Sequence, residues 1–380
     1  MSDGAEQRSL PFVLMRGGTS KAVFLKSEDL PPFGVQRDRL VLEVFGSPDP
    51  RQVDGLGGAD ILTSKLAVIG PPSIPGADLD YTFGQVSITE PVVDYDINCG
   101  NISAAVGSFA VDEGLVPVVE PVTVVRIHNT NTSRVLVARV PVRNGKAAVR
   151  GEFAMDGVPG TGAAIALDYS RTAGGLTGAL LPTGNTRDRL ETEFGPVDAT
   201  IVDLANLCVF VAASAVGMTG AESPGDTTDL SAVQAVKEAA ARLIGVSFDG
   251  LTPIPTMVAS PVEYTAYGSG ERIAAADVDL VARVIGGRPP MLHKAYPGTV
   301  GACTAVAACL PGSVVAEVTR PAPDGLYRIG HTSGMMEAVG RVLPDGDGWV
   351  VEQASYDRTA RRLAEGRTFV RRDERVPSGT

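Results

Sequence analysis

The sequence predicts an α+β protein of two pseudo-symmetric domains, each a curled, mostly antiparallel sheet around one central buried helix. Three observations carry that expectation. The 380 residues exceed the ~100–200 of a usual domain, so each half is long enough to bury a core of its own. Short β-branched runs separated by turn clusters fill most of the chain, and 44 glycines with 27 prolines leave little room for long helices. Finally, each half holds one apolar stretch of small residues beside a glycine and a cysteine. Cys99-Gly100-Asn101 precedes the first, over 101–115, and Gly301-Ala302-Cys303-Thr304 the second, over 304–310. A helix that is apolar on every side belongs inside a sheet. The recurrence reads as an internal duplication. A turn at Leu180-Leu181-Pro182-Thr183-Gly184-Asn185 divides it into domains 1–184 and 185–380, with the C-terminal segment free to pack back on the first.

Taken in order, strands are expected at 12–15, 65–69, 86–89, 122–127 and 133–142, all rich in β-branched residues. The first buried helix stops at Glu113-Gly114 and the second at Pro311-Gly312. Two amphipathic helices are expected outside. One spans 229–244, with Asp229 as N-cap and Gly245 as its stop; the other spans 277–285, stopped by Gly286-Gly287.

Composition excludes several functions. A net charge of −11 argues against binding a phosphate backbone, and one Trp with 5% aromatics makes a base-stacking surface implausible. Cys99, Cys208, Cys303 and Cys309 form no C-x-x-C pair, and His128, His293 and His331 lie far apart. No metal site is therefore expected. Residues 1–10 lack the apolar core of a signal peptide, and no run of ~18 apolar residues could span a membrane. The expectation is a cytoplasmic protein with free thiols and neither nucleic-acid nor membrane partners; monomer and homodimer both stay open.

Four segments could carry chemistry. Met15-Arg16-Gly17-Gly18-Thr19-Ser20-Lys21 puts two glycines and two hydroxyls after a strand, where backbone N–H groups can point at an anion; the plain alternative is a tight turn. It is not a Walker A loop, so ATP is not implied. In the second segment, Gly55-Leu56-Gly57-Gly58 precedes Thr63-Ser64-Lys65. A lysine at the mouth of a buried strand loses hydration and becomes a usable base near neutral pH, unless it simply extends to solvent. At the start of the first buried helix, the Cys99 thiol would sit at the positive end of the dipole, with the N–H groups of Gly100 and Asn101 free for a carboxylate or an enolate oxygen. Cys303 holds the related place in the second half, where two thiols could act on opposite faces of a substrate. Cys208 and Cys309 read as core. The last segment is the loop Gly330-His331-Thr332-Ser333-Gly334, in which His331 either fixes the loop or contacts a ligand.

Together these stretches resemble the PrpF family of 2-methylaconitate isomerases, whose relatives include 4-oxalomesaconate tautomerase and methylitaconate isomerase. The matching stretches are MRGGTSK (15–21), GLGGA with TSK (55–65), NCGNISAAVGSFAVDEGL (98–115), LPTGN (181–185), HKAY with CTAVAA (293–308) and GHTSG (330–334). The resemblance implies a diaminopimelate-epimerase type fold, no cofactor, and proton transfer at carbon on a small unsaturated di- or tricarboxylate. By motif, the catalytic lysine falls on Lys65 and the active-site cysteine on Cys99, with Cys303 a further candidate. Arg16, Gly18, Thr19, Ser20, Ser64, Gly100, Asn101, Thr304, His331, Ser333 and Gly334 are the implied substrate contacts. Lys65 would remove the proton, and Cys99 would return it or polarise the intermediate unless Lys65 does both.

Two departures bear on substrate. Asp60-Ile61-Leu62 stands where the family commonly carries small hydroxyl residues, and Asp203–Cys208 strays from the usual Ala-Gly-Asn-Pro. If Asp60 faces the cleft, its charge would oppose a tricarboxylate. The rival readings are therefore the same chemistry on a less charged biosynthetic acid, and a non-catalytic metabolite-binding or accessory role.

Overall fold

The computed structural model describes residues 6–371 apart from 97, 225, 227–228, 248–251, 287–289 and 347. The first series of elements is β1 (Gln7–Gly17), β2 (Ser20–Lys26), α1 (Val35–Phe45), β3 (Lys65–Gly70), β4 (Leu79–Val86), α2 (Gly100–Asp112), β5 (Val122–Asn129) and β6 (Arg134–Arg143). A hairpin of β7 (Phe153–Met155) and β8 (Val158–Gly162) then leads to β9 (Ile165–Asp168). The second series is β10 (Asp188–Thr192), β11 (Gly195–Leu204), β12 (Asn206–Ala212), α3 (Ser231–Ile244), β13 (Ile254–Ala259), β14 (Leu280–Gly286), α4 (Gly298–Cys309), β15 (Leu326–His331), β16 (Gly334–Asp345) and β17 (Gly348–Arg358). After it, β18 (Ala360–Arg371) returns to pair along the whole of β1.

Strand pairing repeats across the two series. In the first the order is β18-β1-β2-β3-β4-β5-β6-β9, antiparallel except at β2–β3 and β4–β5. In the second it is β10-β11-β12-β13-β14-β15-β16-β17, again antiparallel except at the third and fifth pairs, β12–β13 and β14–β15. The two are joined by β9 against β17. This is an α+β duplication, with one helix inside each curl.

Sequence explains the burial. Every residue of α2 from Gly100 to Val111 is buried, as is α4 from Gly298 to Ala308, and both belong to one apolar core. Small side chains let the sheets close: a Cβ on Gly107 would come within 2.8 Å of Val140 and 2.9 Å of Ala138. Outside, α1 lays Val41, Val44 and Phe45 on Val23, Leu66 and Val68, while α3 lays Val233, Val236 and Ala240 on Val209, Val211 and Met257. Gly245 ends α3 in the left-handed conformation, at φ 72°.

Three sequence expectations need correction. The segment 277–285 is no helix: a short 3-10 turn ends at Asp277 and β14 follows, buried on both faces between β13 and β15. Such a strand shows a continuous apolar run, as a buried helix does. Its expected stop, Gly287, lies outside the described residues. The strand placed at 86–89 is instead 79–86. Finally, α4 starts at Gly298, six residues before the expected Thr304.

Candidate active site

The N-termini of α2 and α4 meet where the two series join. Cys99 is the N-cap of α2 and Pro297 that of α4, and neither helix has a side-chain cap. A Cβ on Gly100 would lie 1.9 Å from the Tyr356 hydroxyl and 2.9 Å from Thr299 Cγ2; one on Gly298 would lie 2.4 Å from the Tyr356 ring. Only glycine allows the helices this close to β17. Tyr356 stacks on Tyr169, ring centroids 5.6 Å apart, and donates to its hydroxyl at 3.2 Å. Burial pushes both phenols up, Tyr169 to about 12.

The Arg-Gly-Gly-Thr-Ser loop between β1 and β2 folds over the first turn of α2. A Cβ on Gly17 would meet the Asn101 carbonyl oxygen at 2.3 Å, and one on Gly18, at φ 52°, would meet Asn101 Oδ1 at 2.2 Å. Asn101 Nδ2 donates to Thr19 Oγ1 at 2.9 Å and to Ser20 Oγ at 3.4 Å. The second series has a counterpart, Asn206 Nδ2 donating to Thr299 Oγ1 at 2.7 Å.

Lys65 is 7% exposed and opens β3 opposite Ala22. Alternation along the strand puts it with Ala67 and Ile69 on the α2 side, because Leu66 and Val68 pack under α1. Its Nζ donates to Gln85 Oε1 at 2.6 Å and lies 5.2 Å from the Phe83 ring centroid. Gln85 in turn donates to the Ser64 and Ile61 carbonyls, so the amide is held with its oxygen toward the lysine.

Arg358, at the end of β17, was missed by sequence reasoning. It is 5% exposed, and among the described residues no carboxylate lies within ion-pair distance of it. Its Nε donates to Asn101 Oδ1 at 3.0 Å and its Nη1 to the Asp357 carbonyl at 2.8 Å, while Nη2 meets only Met336 Sδ, at 3.7 Å. The guanidinium carbon stands 4.5 Å from the Tyr356 ring centroid. A buried guanidinium whose outer nitrogen faces a thioether is short of an anion.

The second series adds His331 and His293. His331 stacks on Tyr296 at 5.8 Å and accepts from the Ser333 N–H at 3.2 Å. Burial, helped by the Arg358 and Arg283 cations, brings it down to about 3. His293 holds its Nδ1 2.5 Å from the Ala295 carbonyl oxygen. Burial lowers it to about 4, and the neighbouring Lys65 and Lys294 cations act the same way. Its only sequence signal was its place in the HKAY stretch.

Several expected contacts stand elsewhere. Ser64 is fully buried, donates to Gln52 Oε1 at 2.6 Å and accepts from the Gly58 N–H, so its side chain braces the glycine loop. Cys303 and Thr304 lie in the second turn of α4, not at its start. The Cys303 thiol is buried 3.8 Å from the Val202 carbonyl and pushed well up by burial, and Thr304 Oγ1 bonds the Val300 carbonyl and Tyr296. Arg16 points to the face of β1 away from α2. A Cβ on Gly334 would sit 1.9 Å from Asp156 Oδ2, which accepts from the Met335 N–H at 2.6 Å. Asp60 is not a bare charge: Oδ1 accepts from the Leu62 N–H at 2.8 Å and Oδ2 pairs with Lys294 at 3.6 Å. Among the described residues, no group of three or more His, Cys, Asp or Glu side chains is placed to hold a metal ion, and no helix is long and apolar enough to cross a membrane.

The structure thus gathers Thr19, Ser20, Lys65, Cys99, Gly100, Asn101 and His331 around one junction and adds Gln85, His293, Thr299 and Arg358. Comparison with known proteins agrees with this architecture. The family described as "PrpF protein" matches residues 7–371. A 3-methylitaconate isomerase of Eubacterium barkeri is 47% identical over 98% of this chain and 100% of its own, and a 2-methyl-aconitate isomerase of Cupriavidus necator is 38% identical over 95% and 96%. The crystal structure of a methylitaconate-delta-isomerase superposes with a TM-score of 0.82 at 47% identity, covering 97% of each chain. A hydroxyproline epimerase from Agrobacterium vitis, 11% identical over 99% of this chain and 96% of its own, shares the fold at a TM-score of 0.56.

Proposed function

This chain belongs to the PrpF family, and from that premise we propose that it isomerises a small unsaturated di- or tricarboxylate by moving a proton between carbons, with Lys65 as the base. The observation that carries the reading is the convergence of two buried helix N-termini, without side-chain caps, on an arginine that has no carboxylate partner among the described residues. Free N–H groups at Gly100 and Asn101 and the Arg358 fork suit a substrate carboxylate and the enolate-like charge that develops beside it. Thr19 and Ser20, held by Asn101, line the same corner.

In its uncharged form, Lys65 Nζ, positioned by Gln85, takes the proton from the carbon next to the activated double bond and becomes the ammonium. The electron pair moves into the conjugated carboxylate system facing the helix ends. A proton returns at the other end of the allylic unit, from the Cys99 thiol or from Lys65 itself. Because Lys294 and the Leu62 N–H hold Asp60, that carboxylate does not oppose a polyanionic substrate, which favours the highly charged class over a less charged acid. The chain is divided at 184/185, with β18 counted to the first domain because it pairs along β1.

Proton NMR in D₂O with cis-aconitate, trans-aconitate, 2-methylaconitate and itaconate tests the reading. Loss of a vinylic or methylene signal with native enzyme, abolished in Lys65→Ala, is expected. A Lys65→Ala enzyme active within a few-fold of native would overturn the assignment of the base.

A further inference from the structure

A cavity lies outside the junction of α2 and α4. It measures about 330 Å³ and opens between the β7–β8 hairpin and the β1–β18 pair, within the size range of small-molecule pockets. Its charged lining is Arg16 and Arg361, and no acidic side chain lines it. Lys65, Cys99, Gly100 and Asn101 take no part in it. The two arginines are direct cross-strand partners and so share a face. The adjacent pairs, Gly17–Ala360 and Met15–Arg362, face α2: Met15 and Ala360 belong to its core, and Arg362 pairs with Glu113 just past its end. Arg16 and Arg361 therefore point the other way.

Neither guanidinium has a carboxylate within ion-pair distance among the described residues. Arg16 Nη1 is committed to two carbonyls, Gly18 O and Thr359 O, each at 2.9 Å. Its proton is held less tightly than usual because of burial and the Arg361 cation beside it. Two like charges side by side without an acid cost free energy that a bound anion would relieve. The opposite wall is apolar, formed by Val149, Phe153, Met155, Val158 and Pro159. A fully hydrated dianion would lose water along that wall without recompense, whereas a carboxylate with a compact apolar body satisfies both sides.

We propose that this cavity binds a small monocarboxylate with a branched apolar body, its carboxylate on Arg16 and Arg361 and its body under the β7–β8 hairpin. The site is separate from the one assigned to Lys65. It shares backbone with it: Gly18, whose carbonyl Arg16 holds, packs on Asn101, and Thr359 follows Arg358.

The test is NMR of methyl-labelled methionine during titration with isovalerate, a saturated acid. Met155 lines the cavity and Met336 touches Arg358, so the two methyls separate the sites. A saturable shift of Met155 is expected, weakened about tenfold or more in Arg361→Gln, where one arm of the charged fork is lost. Inorganic phosphate should bind about tenfold more weakly than isovalerate. Because Arg361 is exposed, the variant should keep its fold, which the unchanged remaining methyl spectrum will verify. The proposal fails if Met336 moves while Met155 does not, or if no methyl saturates by about 50 mM. It fails equally if Arg361→Gln binds within about twofold of native, or if phosphate binds as tightly as isovalerate.

Discussion

Replacing Arg358 with methionine separates binding from folding. In the free protein the guanidinium is buried, hydrogen-bonded to Asn101 Oδ1 at 3.0 Å and the Asp357 carbonyl at 2.8 Å, and stacked on Tyr356, but among the described residues it has no carboxylate partner. The lost hydrogen bonds and ring contact are set against a desolvation cost of several kcal/mol, and methionine has a similar shape. Stability should therefore stay within about 2 kcal/mol of native. Substrate changes the balance. With a carboxylate in place, truncating one member of a buried, hydrogen-bonded charge pair costs about 2–5 kcal/mol, or roughly 30- to 5000-fold in kcat/KM. The assays are urea unfolding of the free protein, turnover by NMR, and the rise in melting temperature produced by itaconate. Native stability with collapsed kcat/KM and no itaconate stabilisation is the expected pattern. Turnover within about threefold of native would refute the carboxylate contact, since one charged hydrogen bond is worth more than that.

Three further outcomes follow from the same geometry. Gly100→Ala drives a methyl into the Tyr356 hydroxyl and should destabilise by about 1–3 kcal/mol and depress activity; adding Tyr356→Phe should recover part of both, which urea melts and turnover will check. Iodoacetamide on the folded protein should alkylate half-buried Cys99 and leave buried Cys208 and Cys303 unmodified, read by peptide mass spectrometry; modification of Cys303 at a rate equal to Cys99 would contradict its place inside α4. His293 and His331, at about 4 and about 3, stay neutral in the fold but take up protons near 6.5 once unfolded. Their contribution is complete above pH 6.5 and is lost as pH falls toward 4 and then 3, so the unfolding midpoint should drop between pH 7 and 5, and less steeply in His331→Asn.

What the sequence disclosed depended on how local the determinant was. The α2 helix was legible because small apolar residues fill every face of it and a glycine stops it. Lys65 stood out only through the resemblance of its glycine-rich and Thr-Ser-Lys stretch to the PrpF family, since position alone favoured a lysine extending to solvent. The start of α4 was not, because the apolar run was taken to begin only after Gly301-Ala302-Cys303; the fold requires Gly298 and Gly301 small, since a Cβ on Gly298 would strike Tyr356 and one on Gly301 would come within 2.5 Å of Met336. That single misplacement carried Cys303 and Thr304 to a helix terminus they do not occupy. Asp229 was read as the N-cap of α3, but Leu230 holds that place, and Asp229 accepts from the Ser231 N–H one residue earlier. Arg358 could not have been found locally. Its neighbours are set by β17 pairing with β9 and by Asn101, 257 positions away in sequence.

The duplicated scaffold is not duplicated in chemistry, and the difference lies at two N-caps. A thiol at each helix start would put an acid and a base on opposite faces of one substrate carbon. Here the first series offers Cys99 at its cap and the second offers Pro297, which has no proton to give. The thiol of the second series, Cys303, is in the second turn of α4, pushed up by burial and aimed at the Val202 carbonyl. On the proposed assignment, the groups that move protons, Lys65 and Cys99, both belong to the first series. The second contributes the free N–H groups of α4, the neutral rings of His293 and His331, and Lys294 across the cleft on Asp60. If base and acid both act from that side, they meet one face of a planar allylic system. That arrangement suits passing a proton from one carbon to the next along that face, whereas inverting a single carbon requires a donor opposite the base.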